Sequence, residues 1–425
     1  MQDKPDPNDL ERLIRELIQS GQIDPKAVEQ IAGLVNNPGM IASMFSNMQT
    51  MFSQSGDSVN WDLALGQGVT LAKADELKPA DSLVNEIPKA LDIANLWLQE
   101  VTDFGSKQPI KLLSRSMWVQ DALPLFKELS EPIATSMAKA LSENLGSALP
   151  EQFAESIGSA ANFLGNAGAT IFAMQLGQAA GKLASEAVLG SEIGIPLSDR
   201  PGLVTQNLAK ILEGLETPKT ELLIYLATRE LVMTGLFSSN PYLRERIVSQ
   251  VREFAAGLKI DTDSIQELAE QVDLSSPEQV NHVIEMSSAL AARTPEQELA
   301  LARIELTLAL VEGWVDSVTN EATKRLPSTL AMAELFRRRR SSAGVSQKTF
   351  ATLLGLELTP KLVRECEALW TKVGAEFGKE VRDRLISHPD QLPSLEEIQD
   401  PGLLIARLSG SGDDWDSQLR DLLGN

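Results

Sequence analysis

The fold is decided by two apolar helices, and the first of them is predicted at 217–237. This stretch reads TPKTELLIYLATRELVMTGLF. Its opening Thr-Pro pair is a typical helix start, because a hydroxyl caps the first turn and proline is tolerated at the first helical position. Apolar residues recur at helical spacing, and Arg229, Glu230 and Met233 lie on or near the same face. Charges embedded in such a helix need partners, so this helix is a candidate site.

The second decisive helix is predicted at 294–325, TPEQELALARIELTLALVEGWVDSVTNEATKR. Its Thr-Pro-Glu-Gln start has the pattern of a capping box with proline at the first helical position. Glu305, Glu312 and Asp316 can share one stripe of this helix. The stripe is either a solvated face or a set of buried carboxylates, and buried carboxylates must be protonated, paired or metal-bound. Arg229 is the natural partner in the second case.

Composition predicts a folded, almost entirely α-helical chain. Its 425 residues are 43% hydrophobic, which is enough to bury a core. Only two tyrosines occur and β-branched alternation is scarce, so strand signals are weak. The 59 acidic against 38 basic residues give a net charge of -21. That charge argues against a nucleic-acid partner, since phosphate binding needs a basic surface.

Cysteine and histidine usage limits the chemistry. Cys366 is the single cysteine, so neither an internal disulfide nor a cluster of thiolate ligands is expected. We interpret it as a small buried hydrophobe. Of the two histidines, His282 is read as structural and His388 as part of a local His-Pro-Asp turn. The N-terminus carries no basic segment followed by an apolar one, which predicts a cytoplasmic protein.

The chain is predicted to have three parts: an N-terminal helical arm and linker at 1–58, a helical domain at 59–405 and a flexible acidic tail at 406–425. Methionines at helical spacing in 40–52 indicate an adaptable apolar helix. We favour a helix docked on a core, and keep a partner groove or a peripheral membrane contact as the less favoured alternatives. No transmembrane segment is predicted.

Two further stretches admit a structural and a functional reading. Residues 157–181 carry no charge, but their Asn, Gln and Gly content favours a tightly packed buried helix over a membrane span, with Gly177 and Gly181 allowing close approach. The run Arg337–Arg340 suits a helix C-terminus, where arginines complement the helix dipole and can pair with the surplus acids. An anion or nucleic-acid site there is less favoured.

The first motif helix can be compared with HExxH, in which two histidines one helical turn apart bind zinc and the glutamate polarises a water molecule. Glu230 stands at the position of the catalytic glutamate, so it is the candidate catalytic residue. Arg229 and Met233 stand at the two histidine positions. A guanidinium is always protonated and offers no lone pair, and a thioether is poorly suited to hydrolytic zinc. Zinc needs three protein ligands even in an open catalytic site.

Several blocks together resemble the actinobacterial zincin-like family, whose members are described as hydrolases or zinc-dependent metalloproteases. The resemblance covers about residues 58–402 and rests on VNWDLA at 59–64, NLWL at 95–98, QLGQ at 175–178, IGIPL at 193–197, YLATRE at 225–230, LVEGWVD at 310–316, RRRR at 337–340, TFATLLGLEL at 349–358 and HPDQLP at 388–393.

This resemblance implies a multi-helix zincin-like bundle and a zinc peptidase ancestry. By resemblance, Glu312 matches the third zinc ligand. Relatives keep one or both histidines of the motif, and many carry a histidine directly after the position of Asp316, where this chain has Ser317. The departures fall on the positions that would hold the metal.

We therefore predict a metal-free pseudoenzyme, with no cofactor, that acts by binding or scaffolding a protein or peptide. Arg229 is expected to pair with Glu312 or Glu230 near the vacated metal position, and Met233 and Asp316 complete the predicted binding set. The alternative is an active hydrolase, in which Glu230, Glu312 and Asp316 hold zinc or act as acid and base.

Overall fold

The structure, a computed structural model, describes residues 59–78, 81–148, 169–170, 172–214, 217–257, 294–341, 344–354 and 362–410. The predictions for the arm at 1–58 with its methionine-rich segment, for His282, for most of 157–171 and for 411–425 fall outside these residues.

The prediction of an all-α fold is confirmed for the described residues, which form many helices and one two-stranded sheet. The strands are β1 (Lys111–Leu113) and β2 (Gly202–Val204). The helices are α1 (Trp61–Lys73), α2 (Asp81–Val101), α3 (Arg115–Ala148), α4 (172–184), α5 (Thr205–Glu213), α6 (Lys219–Ser239), α7 (Tyr242–Ala256), α8 (Pro295–Thr323), α9 (Thr329–Ser341), α10 (Val345–Leu354), α11 (Val363–Phe377), α12 (Lys379–Ser387), α13 (Leu395–Gln399) and α14 (401–410).

The two motif helices are the central helices α6 and α8. The capping box predicted at the start of α8 is present: the Thr294 hydroxyl accepts from the Gln297 amide at 3.2 Å, and the Gln297 side chain accepts from the Thr294 amide at 3.0 Å. Helix α6 is buried continuously from Leu222 to Phe237. A helix that is buried on every face lies inside the protein, so α6 is a central helix of the core and its buried charges need partners there.

Glycine sets the crossing of α8 with α11. A Cβ atom on Gly313 would lie 2.5 Å from the Cβ of Cys366. Because real side chains do not approach so closely, only glycine allows the two helices to touch at this point. Cys366 is fully buried there, which confirms that it is part of the core. Burial raises the pKa of its thiol to about 12.

Gly177 and Gly181, in the uncharged stretch at 157–181, allow α4 to pack closely against α1. A Cβ on Gly177 would lie 2.4 Å from the Ala64 carbonyl oxygen, and one on Gly181 would lie 2.9 Å from the Gly68 carbonyl oxygen. The predicted close packing is therefore present for the described part of this stretch. Among the described helices, none combines the length and the apolarity that a membrane span requires.

The small sheet joins two strand-to-helix junctions. Strands β1 and β2 run parallel, with Leu113 opposite Val204. Leu189 adds an antiparallel bridge to Leu203 on the other side of β2. Strand β1 is followed almost at once by α3, and β2 runs directly into α5. The two helices therefore begin side by side at one end of the sheet.

Candidate functional site

A buried ion pair joins the two central helices. Arg229 of α6 donates from one guanidinium nitrogen to Glu312 and from the other to Asp316, both on α8. The three residues are 3%, 6% and 2% exposed. Glu312 and Asp316 are four residues apart, so their carboxylates lie one helical turn apart on one face. The planar guanidinium spans that distance with two separate nitrogen donors.

The positive charge of Arg229 is buried and is compensated by the carboxylates of Glu312 and Asp316. Burial acts to lower the pKa of Arg229, but the facing carboxylates of Glu312 and Asp316 outweigh burial and raise that pKa above its ordinary value. Arg229 is therefore a permanent cation in this site. Of the two alternatives for the acidic stripe, buried and paired carboxylates are found at Glu312 and Asp316, whereas Glu305 is half-buried.

A second arginine covers the same carboxylates from the solvent side. Arg340 of α9 donates to the second Asp316 oxygen at 2.6 Å, and its Nε lies 3.8 Å from Glu312. Its side chain is 17% exposed. Two cations and two anions thus alternate at the junction of three helices. Each carboxylate has a positive neighbour.

The rest of the arginine run makes the pairs that the surplus of acids predicted. Two of these ion pairs join α9 to other parts of the chain, Arg337 with Glu367 and Arg339 with Glu192. Two more lie within α9, where Arg337 and Arg338 both pair with Glu334. The structural interpretation of this run is therefore the one that the contacts support.

Tyr225 closes the inner end of the cluster. It lies one turn before Arg229 on α6 and is buried, and its ring stacks on Phe336 at a centroid distance of 5.9 Å. Burial raises the pKa of Tyr225, and the negative charge of Asp316 adds to that effect. The phenol therefore stays neutral beside the ion cluster.

Glu230 does not join this cluster: of the two partners expected for Arg229, Glu312 is the one that pairs with it, and the partners of Glu230 lie elsewhere. One carboxylate oxygen accepts from the Gly202 amide at 2.8 Å, and the other accepts from the amide and hydroxyl of Ser191. Consecutive helix positions point about 100° apart, so neighbouring side chains face different parts of the protein. Burial raises the pKa of Glu230 to about 7, against the effect of its hydrogen bonds to Ser191 and Gly202.

The remaining candidates lie apart from the ion pair. Met233 is 1% exposed and belongs to the main hydrophobic core. Ser317 makes a hydroxyl contact of 2.9 Å with Thr371. His388 is exposed, and its carbonyl oxygen accepts from the Gln391 amide at 2.9 Å, as expected for a local turn.

Sequence reasoning missed the residues that hold Glu230. Ser191 and Gly202 are uncharged and lie 39 and 28 residues before it in the chain. The one block of the resemblance in this region, IGIPL at 193–197, lies in a turn and gives no sign of a hydrogen bond to Glu230. A glycine near that turn is required as well, because a Cβ on Gly190 would lie 2.9 Å from a Glu230 oxygen.

The described side chains do not fit a zinc ion. No three histidine, cysteine, aspartate or glutamate residues converge on one point within the described ranges. The two carboxylates that come together, Glu312 and Asp316, already face two arginines. A third cation at this position would be repelled by both guanidinium groups.

The fold and this site define a protein of the all-α class. Its two central helices, α6 and α8, are joined by the buried ion pairs of Arg229 with Glu312 and Asp316. The chain belongs to the zincin-like metallopeptidase family, whose model matches residues 59–405. The resemblance inferred from the sequence is thereby confirmed at the level of the family. No curated protein gives a significant match to the chain.

One solved structure is similar in fold. It is the crystal structure of a protein from Chloroflexus aurantiacus, described as a candidate hydrolase with a novel fold. The two chains are 18% identical, and the alignment covers 83% of this chain and 99% of the other with a TM-score of 0.56. At this identity the likeness concerns the fold alone.

Proposed function

We propose that this chain is a metal-free member of its family that binds a protein or peptide without hydrolysing it. The observation that carries the proposal is the Arg229 guanidinium held between Glu312 and Asp316. In this proposal the motif is degenerate: arginine and methionine replace the two histidines of HExxH, and a fixed side-chain cation replaces the dissociable metal ion.

The chemistry of the two replacements supports this proposal. Arg229 has no lone pair to donate to a metal, and its two hydrogen-bonding nitrogens are already engaged. Met233 offers only a soft thioether, and that thioether is packed in the hydrophobic core. Of the expected ligands, only Glu312 retains suitable chemistry. One ligand is too few for a catalytic zinc site.

The surroundings of Glu230 support the same conclusion. A general base must reach the water or substrate whose proton it takes. Glu230 is 1% exposed, and both of its oxygens accept hydrogen bonds from the 191–202 segment. Its carboxylate therefore fixes this segment against α6. We infer that a residue with a catalytic ancestry has become a structural one.

Binding of a protein or peptide is the function that remains when a peptidase loses its metal and keeps its fold. The alternative is an active zinc-dependent hydrolase, which the name of the family favours. That alternative requires Glu230, Glu312 and Asp316 to release their present partners and converge on one ion.

Metal analysis of the purified full-length protein tests the proposal. After incubation with zinc and dialysis, we expect the wild type to hold far less than one zinc per chain. Incubation with a defined peptide library, followed by mass spectrometry, should recover retained peptides that are intact. Stoichiometric zinc together with chelator-sensitive cleavage of the peptides would establish the alternative.

The chain offers a matched positive control. The double variant Arg229→His/Met233→His restores both histidines of the motif while Glu312 remains in place. We expect this variant to bind zinc more tightly than the wild type does. Equal zinc binding by the two proteins would show that positions 229 and 233 do not decide metal binding.

A further inference from the structure

The first turn of α5 is a helix N-terminus that is buried and lacks a side-chain cap. Its preceding residue, Val204, makes no capping hydrogen bond. Thr205, Gln206 and Asn207 form the first turn and are 1%, 7% and 3% exposed. Free amide groups at a helix start point outward along the axis and carry a partial positive charge. A buried start of this kind needs an acceptor.

A buried arginine lies against this turn with one nitrogen unused. Arg115 is 3% exposed, and its Nε donates to the Asn207 side-chain oxygen at 2.9 Å. Its Nη2 has no hydrogen-bond partner, and Arg115 forms no ion pair with a carboxylate of the described residues. An uncompensated buried guanidinium is costly, so a native structure is expected to supply it with an anion.

The other groups nearby are already engaged. The Asn207 side-chain nitrogen donates to the Ala184 and Ala187 carbonyl oxygens, which engages both of its N–H groups. The neighbouring helix start, that of α3, has its own acceptor, since the Ser116 amide donates to Glu76 at 2.8 Å. Arg115 is itself the first residue of α3, and its guanidinium reaches across to the first turn of α5. Of these two helix starts, α5 is the one whose N-cap residue makes no side-chain hydrogen bond.

The connection between α1 and α2 covers this end of the sheet. Gln206 accepts from the Leu77 amide at 2.9 Å and donates to the Asp75 carbonyl oxygen at 2.6 Å. Leu77 itself is 65% exposed. The described part of this connection is thus largely exposed and is held against the start of α5 by the Gln206 side chain.

We propose that the start of α5 and the Arg115 guanidinium form a binding site for a small oxyanion, either a phosphate or a carboxylate group. Both groups accept hydrogen bonds from a guanidinium in the planar geometry that arginine offers. Both also suit the amide groups of a helix N-terminus. The site is separate from the Arg229 cluster and does not depend on whether the family chemistry survives.

Thermal unfolding of the full-length protein tests this site. Inorganic phosphate and acetate are titrated separately at constant pH and ionic strength, with chloride as the background anion. We expect at least one of them to raise the midpoint temperature in a saturable manner, because a ligand that binds only the folded state stabilises it. The anion that does so identifies the preferred group. No saturable shift with either anion would overturn the proposal.

Variants assign the effect to Arg115. In Arg115→Met we expect the apparent affinity for the anion to fall on the order of tenfold or more, since a charge-assisted hydrogen bond is lost. Arg303→Met, which alters an exposed arginine on α8, should retain the wild-type response. An equal response in Arg115→Met would refute the site. Selenate soaked into crystals of the wild type gives a readout that needs no variant, with an anomalous peak expected beside Arg115 and a peak only elsewhere counting against it.

Discussion

Replacing Arg229 by methionine tests the central contact of the fold most directly. Methionine fills much of the same space but removes the charge and the donors. In the structure, Arg229 is bonded to Glu312 and Asp316, and Arg340 is bonded to Asp316. After the substitution, Asp316 keeps Arg340 as its partner. Glu312 keeps only the Arg340 Nε at 3.8 Å, so one buried carboxylate loses its close partner.

The expected loss of unfolding free energy follows from the one carboxylate, that of Glu312, which is left without a close partner. Removing one partner of a buried ion pair costs roughly 3–5 kcal/mol, because the remaining charge stays buried without compensation. Since Arg340 still neutralises one of the two carboxylates, we expect a value near the lower end, about 3 kcal/mol. Adding Glu312→Gln removes the stranded charge. The double variant should therefore regain part of the loss.

Urea unfolding followed by circular dichroism measures these differences. Arg303→Met serves as the control, since Arg303 and Glu253 form an exposed pair at 3.0 Å with side chains about half exposed. Exposed pairs contribute less than about 1 kcal/mol. If Arg229→Met costs no more than this control, or if the added Glu312→Gln brings no recovery, the ion pair does not organise the core as we describe.

Three further predictions concern other parts of the core. Burial raises the pKa of Glu230 from 4.5 to about 7, so the folded chain keeps a proton that the unfolded chain has released between these values. The resulting stabilisation is lost as pH rises toward and through 7. Between pH 5 and 8 the unfolding free energy of the wild type should therefore fall by roughly 2–3 kcal/mol from this group, and Glu230→Gln should abolish that part of the fall. Cys366, whose thiol pKa is about 12, should resist thiol reagents in the native protein and react once urea unfolds it; fast native labelling would contradict its burial. Gly235→Ala should destabilise by about 1–3 kcal/mol or more, because its Cβ would lie 1.6 Å from the Phe104 carbonyl oxygen, while Gly66→Ala on α1 meets no atom within 4 Å and should be neutral or stabilising in the same unfolding assay.

The helical class could be predicted because its signals are local. The capping box at Thr294 and the apolar residues at helical spacing in α6 are visible in short windows of sequence, and both helices are present in the structure. The pairing of β1 with β2 could not be predicted in the same way. These strands have three residues each and join parts of the chain about 90 residues apart. Strands this short leave no periodicity to detect.

The site was predictable in its charges and not in its geometry. Arg229 and Glu312 stood out because charges in apolar helices must be paired, and they are paired. The partners of Glu230 depend on how the 191–202 segment folds back on α6. Backbone amides leave no trace in a sequence as hydrogen-bond donors, since nearly every residue has one. Only the tertiary structure could show that Glu230 faces this segment and not Arg229.

The guanidinium between α6 and α8 is attached to the chain by covalent bonds, and this changes what the contact depends on. A metal ion that bridges two helices has a dissociation constant, so the bridge weakens when the ion is scarce or a chelator competes for it. The guanidinium is part of the polypeptide, so it does not dissociate on dilution. The joint between these helices is therefore complete as soon as the protein folds, whatever the supply of trace elements around it.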